Sequence, residues 1–262
     1  MELAEIVRVV REALPRVLVA VDFDGTLAPI VPDPEDSRPA PGSIAVLTEL
    51  AERGAQVAVI TGRDARTVLR LGGFATVPGI VVAGLYGVET WTGGELTTPE
   101  TPAAIETLRE RLPALLREHH ADPAVWIEDK RLSLVVHGRK AADPAAALEP
   151  VREPVASLAD ELGLELHPGN GVLELRLPGY DKAAALRRLA GAGNADAVLF
   201  LGDDLGDVPA FEEIRRLRDG GRSAWGVAVT AGNVAEAAVA ADAAVPTPAD
   251  VVVLLQTIVG PS

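Results

Sequence analysis

The chain has 262 residues, 48% hydrophobic and 24% charged, the composition of a folded protein with roughly two domains at about 150 residues each, which excludes a disordered chain. Lysine and arginine total 24 against 38 aspartates and glutamates, a net charge of −14, and aromatics make up 3% of residues. Neither a phosphate-backbone grip nor a base-stacking platform is supplied, so nucleic acid is not an expected partner. Without cysteine, any metal chemistry falls to oxygen ligands and histidine.

The first fifteen residues carry Glu2, Glu5, Arg8, Arg11 and Glu12 among apolar ones and lack the uninterrupted apolar stretch of a secretory signal. No window approaches the ~18 apolar residues of a membrane span. A cytoplasmic protein with no membrane contact is therefore expected. Val17–Val21, Gln56–Ile60, Ile80–Ala83 and Ala197–Leu201 are short continuous apolar runs, the pattern of parallel strands covered on both faces. Between the first two, Pro41–Gly54 places Ile44, Leu47 and Leu50 at helical spacing, which completes a β-α-β unit and predicts an open α/β sheet.

From Thr98 to Pro178 the rhythm changes to α-β-β-α-β-β: helices at Ala103–His120 and Pro144–Leu162, strands at Val125–Ile127, Leu132–His137, Leu164–His167 and Val172–Leu177. The last strand alternates with period two, as an antiparallel sheet with one solvated face requires. We read residues 99–179 as an inserted α+β domain that splits a core of residues 1–98 and 180–262. Pro99, Pro102 and Pro178-Gly179 are its hinge segments, and helix Asp181–Ala190 resumes the α/β pattern.

Asp22 and Asp24 follow directly on the first strand, at the carboxyl edge where open α/β sheets bind ligands. Two carboxylates so placed suit Mg²⁺, and let one act as a nucleophile while the other handles protons. An Asp-Gly turn after a strand would read the same. Asp203, Asp204 and Asp207 follow Ala197–Leu201 on the same edge; with no basic neighbour in sequence they would repel one another unless a divalent cation intervened, although a helix N-terminus also favours Asp. Thr61, in Thr61-Gly62-Arg63 after the second strand, offers a hydroxyl and free N–H groups for phosphate, or a simple N-cap. Lys182 opens a helix, where the dipole gives a cation nothing and an anionic ligand would explain it.

Taken in order, Asp22-Phe23-Asp24-Gly25-Thr26, Thr61-Gly62-Arg63, Lys182 and Gly202-Asp203-Asp204-Leu205-Gly206-Asp207 resemble the four motifs of the haloacid dehalogenase superfamily of phosphotransferases. That resemblance implies a Rossmann-like core in which Asp22 attacks phosphorus and Asp24 donates a proton to the leaving alcohol and later activates water. Thr61 and Lys182 would hold the phosphoryl group. Mg²⁺ would bind the Asp22 carboxylate, the Asp24 carbonyl and Asp203, with Asp204, Asp207 and Arg63 in support. The insert is similar to the cap of trehalose-6-phosphate phosphatases, through Trp126-Ile127-Glu128-Asp129-Lys130, Ser133–Arg139 and Pro168–Arg176 running into Asp181-Lys182. By that resemblance, which spans about Val17 to Val253, Glu128, Lys130 and Glu174 bond sugar hydroxyls in a cap that closes over the active site. It further implies Mg²⁺-dependent hydrolysis of trehalose 6-phosphate through an aspartyl phosphate, and a trehalose-6-phosphate synthase as partner.

On a solvated sheet face Glu128, Lys130 and Arg139 could instead be cross-strand ion pairs, and His137 reads as a further sugar contact or a plain strand residue. Three departures from the family pattern stand out: Gly206 and Val208 replace Thr and Glu of the fourth motif, Leu85-Tyr86 stands for an Asn-His pair, and Ala183 follows Lys182 in place of glycine. Alternative readings are a phosphatase for sucrose phosphate, mannosylglycerate phosphate or a hexose phosphate, or a silent partner of a sugar-phosphate synthase. Retention of Asp22, Asp24, Lys182 and Asp203 together argues for the enzyme.

Overall fold

The computed structural model describes residues 2–98, 100–193, 195–231 and 235–260. It divides into two compact units, Met1–Thr98 with Asp181–Ser262, and Pro99–Tyr180. Pro99, one of the residues expected to form a hinge, lies outside the described residues.

The larger unit begins with α1 (Leu3–Glu12), β1 (Val17–Val21), α2 (Ser43–Glu52), β2 (Gln56–Ile60), α3 (Ala65–Gly72), β3 (Val81–Gly84) and the hairpin β4 (Glu89–Thr92) and β5 (Glu95–Thr97). The smaller unit holds α4 (Ala103–Glu118), β6 (Trp126–Asp129), β7 (Ser133–His137), α5 (Pro144–Leu162), β8 (Glu165–Gly169) and β9 (Val172–Arg176). The larger unit then resumes with α6 (Lys182–Ala192), β10 (Ala197–Gly202), α7 (Val208–Asp219), β11 (Ser223–Val229), α8 (Ala235–Ala240), β12 (Ala243–Val245) and α9 (Pro248–Val259).

The large sheet has the order β12-β11-β10-β1-β2-β3-β4-β5. It is parallel from β12 to β3 and closes with the antiparallel β3-β4-β5. Because β1 is central, all five of its residues are buried, and they alternate between two cores. Val17, Val19 and Val21 pack with α1, α2, α3 and α9, and Leu18 and Ala20 with α6, α7 and α8. The α/β class read from the continuous apolar runs is thus borne out. The β4–β5 hairpin, turned by Gly93 and Gly94 at positive φ, was not visible as apolar runs, because its strands are short and half exposed.

In the small unit the sheet order is β6-β7-β9-β8, all antiparallel. Leu134, Val136, Leu173 and Leu175 face α4 and α5 and form its core. The opposite face carries Trp126, Glu128, Ser133, Val135, His137, Glu174 and Arg176, as the period of two in β9 required.

Candidate active site

The chain winds one way from β1 to β2 and β3 and the other way through β10, so the crevice at the carboxyl ends of β1 and β10 is the topological switch point of the sheet. The register Val21↔Leu201 brings the residues after both strands side by side, and Val21↔Val59 adds the end of β2. Asp22, Thr61 and Asp203 thereby meet at one edge, each buried.

Lys182 connects this edge. Asp181 caps α6 by accepting from the Ala184 N–H at 2.6 Å, and this fixes Lys182 in the first turn. Lys182 Nζ donates to Asp207 Oδ1 at 2.7 Å and stands 2.9 Å from Asp22 Oδ1, with Asp204 Oδ1 at 3.9 Å. The acidic cluster has no basic neighbour in its own segment; its partner comes from a helix some twenty residues earlier. Asp207 Oδ2 also accepts from the N–H groups of Asp203 and Asp204 at 2.9 and 3.0 Å. With both oxygens engaged, Asp207 ties the loop after β10 to Lys182. The Asp preference of a helix start and the support of Lys182 coincide in this one residue.

Asp203 Oδ1 accepts from the Thr26 hydroxyl at 2.9 Å. Gly25, at φ +83°, lets the carboxylate approach, since a Cβ there would collide with it. Asp22, Asp203 and Asp207 each place an oxygen within 4.8 Å of the others. Burial first, then these mutual repulsions, raise Asp22 well above the usual carboxylate range against the pull of Lys182. Burial likewise pushes Asp203 up to about 7, although the Thr26 bond opposes it, and raises Asp207 against the same lysine. Burial works against the Lys182 cation as well, but Asp207, Asp22 and Asp204 outweigh it and hold the ammonium well above its ordinary pKa. Crowded, buried, hard oxygen donors fit a divalent cation.

Asp24 is placed differently. Arg63 grips its carboxylate with two bonds, Nε to Oδ2 at 2.5 Å and Nη2 to Oδ1 at 2.6 Å, and Ser37 Oγ donates to Oδ1 at 3.0 Å. Arg63 Nη1 also reaches the Pro34 carbonyl at 2.9 Å, and its bond to Asp24 raises its pKa despite partial burial. The Asp24 carboxylate thus lies outside the Asp22-Asp203-Asp207 cluster, which leaves its backbone carbonyl as the atom it could offer a metal. Thr61 Oγ1 accepts from the Arg63 N–H at 3.2 Å and keeps its own hydrogen to donate. Glu89, buried, accepts from the Ala65 N–H at 2.9 Å and secures the start of α3.

On the open face of the small sheet, Glu128 Oε2 lies 2.8 Å from His137 Nε2. Glu174 Oε1 accepts from the Ser133 hydroxyl at 2.9 Å and stands 3.8 Å from Lys130 Nζ. Arg139 instead donates to the Asn170 carbonyl at 3.0 Å. The cross-strand pairs on this face are thus Glu128 with His137 and Lys130 with Glu174, and Arg139 forms none of them. Thr26, Ser37 and Ser133 were not singled out: Thr26 sits inside a motif, whereas Ser37 has no local signal at all.

A doubly wound sheet with acids at the ends of its β1 and β10 and an inserted α+β unit has the architecture of haloacid dehalogenase-type hydrolases. The haloacid dehalogenase-like hydrolase from Bacteroides thetaiotaomicron matches with a TM-score of 0.66 at 17% identity, over 92% of this chain and 94% of that one. Trehalose-6-phosphate phosphatase of Aspergillus fumigatus matches at 0.79 with 23% identity, over 100% and 98%. These likenesses are of fold. The trehalose-phosphatase family model matches residues 20–249, and the chain belongs to that family. Trehalose-phosphate phosphatase of Mycobacterium avium (strain 104) is 37% identical over 206 residues, covering 75% of this chain and 51% of that protein. The chain spans about half the length of the curated relatives it matches. Among the described residues no helix is long and apolar enough to cross a membrane.

Proposed function

We propose that the chain hydrolyses trehalose 6-phosphate to trehalose and inorganic phosphate in a Mg²⁺-dependent reaction with Asp22 as nucleophile. The observation that carries this reading is the buried Asp22–Lys182–Asp207 chain at the β1/β10 crevice of a trehalose-phosphatase family member. An Asp22 carboxylate oxygen attacks phosphorus in line, the bond from phosphorus to the sugar oxygen breaks, and Asp24 gives that oxygen its proton. Asp24, now a carboxylate, takes a proton from water as the water oxygen attacks the aspartyl phosphate, and phosphate and Asp22 are released. Its bonds to Arg63 and Ser37 hold the carboxyl group in one orientation for both steps. Thr61 Oγ and Lys182 Nζ are placed to bond phosphoryl oxygens.

The Asp22 carboxylate, the Asp24 carbonyl and Asp203 would hold the metal, whose charge neutralises that developing on the phosphoryl group. Asp207, Asp204 and Arg63 keep those groups in position. In the same proposal residues 99–179 serve as the substrate-selecting domain and residues 1–98 with 180–262 as the catalytic core. Glu128, Lys130 and Glu174 bond sugar hydroxyls, a trehalose-6-phosphate synthase supplies the substrate, and the protein works in the cytoplasm. Leu85 and Tyr86, both at positive φ and joined to the Arg63 and Thr61 carbonyls, keep a second reading on another sugar phosphate in view.

Phosphate release from a panel of sugar phosphates, with Mg²⁺ and with EDTA, tests the proposal. Selective, EDTA-sensitive release from trehalose 6-phosphate is expected. Release from a different sugar phosphate would transfer the specificity elsewhere, and no release from any would leave a silent partner of a synthase.

A further inference from the structure

Among the described residues of the small unit two polar side chains are buried, Ser133 and His137. Both come from β7, both point to the face away from α4 and α5, and between them lies Val135. Each makes its hydrogen bond to a glutamate of that face: Ser133 Oγ to Glu174 Oε1 at 2.9 Å, His137 Nε2 to Glu128 Oε2 at 2.8 Å. A carboxylate only accepts, so Nε2 carries the hydrogen and donates. The His137 ring is fixed in turn by stacking on Trp126, with centroids 4.0 Å apart and planes 5° from parallel.

The register makes this pairing an arrangement. Val135 is directly opposite Glu128 on β6 and Glu174 on β9, so the two glutamates flank a buried valine across two strand spacings, about 10 Å between Cα atoms. Bonding to β7 through one oxygen each leaves Glu128 Oε1 and Glu174 Oε2 to accept from an incoming donor. Two carboxylates on the strands either side of β7, on one sheet face and each with an oxygen left to accept, match the hydroxyls that radiate from the edge of a sugar ring.

We propose that β7 is the positioning strand of the sugar site: Ser133 and His137 aim the carboxylates of Glu174 and Glu128 at the hydroxyls of one ring, without touching the sugar. This rests on the reading that Glu128 and Glu174 contact the sugar of the substrate. Bonds to an ionised carboxylate are stronger than neutral ones, so losing either donor should be felt in binding.

The test is steady-state hydrolysis of trehalose 6-phosphate by the whole chain with Mg²⁺, in wild type, S133A, H137A, H137Q, E128Q and the double variant H137A/E128Q. S133A removes a single oxygen and keeps the strand. S133A and H137A are each expected to raise KM about ten-fold with kcat within about two-fold of wild type. H137Q, whose amide can donate in place of Nε2, should recover most of the loss. In the E128Q background H137A should add no further rise, because its effect passes through Glu128. Wild-type KM in S133A and H137A, or an equal rise from H137A with and without Glu128, would overturn the positioning role. A wild-type KM in E128Q would overturn it one level lower, by removing Glu128 as a sugar contact.

Discussion

In the large unit Asp22, Lys182, Asp203 and Asp207 are at most 4% exposed and joined into one network, whereas in the small unit the Glu128, Lys130 and Glu174 side chains are 40%, 29% and 13% exposed on a sheet face. The first arrangement takes charges out of water and holds them against one another. Such a site stabilises a reacting group because no solvent has to reorganise. The second keeps its carboxylates accessible, with one oxygen of each bonded to β7, which is how a surface recognises hydroxyls. In the proposed function, that difference assigns the strand ends of the parallel sheet to bond breaking and the face of the antiparallel sheet to substrate choice.

That division can be broken most sharply at Asp22. Asp22→Asn should lower kcat for trehalose 6-phosphate by at least about 10³-fold while the melting temperature stays level or rises, since one member of a repelling cluster becomes neutral. A variant with wild-type turnover would remove the nucleophile. Lys182→Ala should abolish turnover and also destabilise by about 3–5 kcal/mol in urea unfolding, because Asp22 and Asp207 lose their buried partner. Unchanged unfolding would show that the lysine does not hold the network together. Gly25→Ala forces a side chain into the place of the Asp203 carboxylate at a positive φ, and should raise the Mg²⁺ concentration for half-maximal rate by about ten-fold or more.

Smaller effects sharpen the comparison from the other side. Glu174→Gln should raise KM about ten-fold and leave the Mg²⁺ requirement untouched, the reverse of Gly25→Ala. The smallest effect concerns pH. Asp203, pushed up to about 7 by burial, binds its proton more tightly folded than in the unfolded chain, where the value is about 3.9. Its contribution to stability is therefore lost as pH rises from about 4 to about 7. In EDTA, the melting temperature of Asp203→Asn relative to wild type should climb by a few degrees across that window, and a flat difference would contradict the raised pKa.

Much of this was legible before any coordinates. The apolar runs of β1, β2, β3 and β10 required covered parallel strands, so the acids and Thr61 that follow them had to share an edge. The alternation of Leu173, Glu174 and Leu175 placed Glu174 opposite the apolar core. What escaped were contacts between segments far apart in sequence: Arg63 and Ser37 with Asp24, Ser133 with Glu174. No local periodicity encodes a pairing that exists only once both segments are folded. The segment after β10 escaped for a second reason: the short strand β12 and the alanine-rich α8 have neither a continuous apolar run of strand length nor a marked helical stripe.

The central claim, that Asp22 carries the phosphoryl group in transit, is tested most directly by quenching the enzyme in acid during turnover of trehalose 6-phosphate with Mg²⁺. Borohydride reduction and peptide mapping follow, since borohydride converts an acyl phosphate of aspartate to homoserine. Homoserine at position 22 is the predicted result. Homoserine at position 24, or phosphate released at full rate with no homoserine formed, would contradict it.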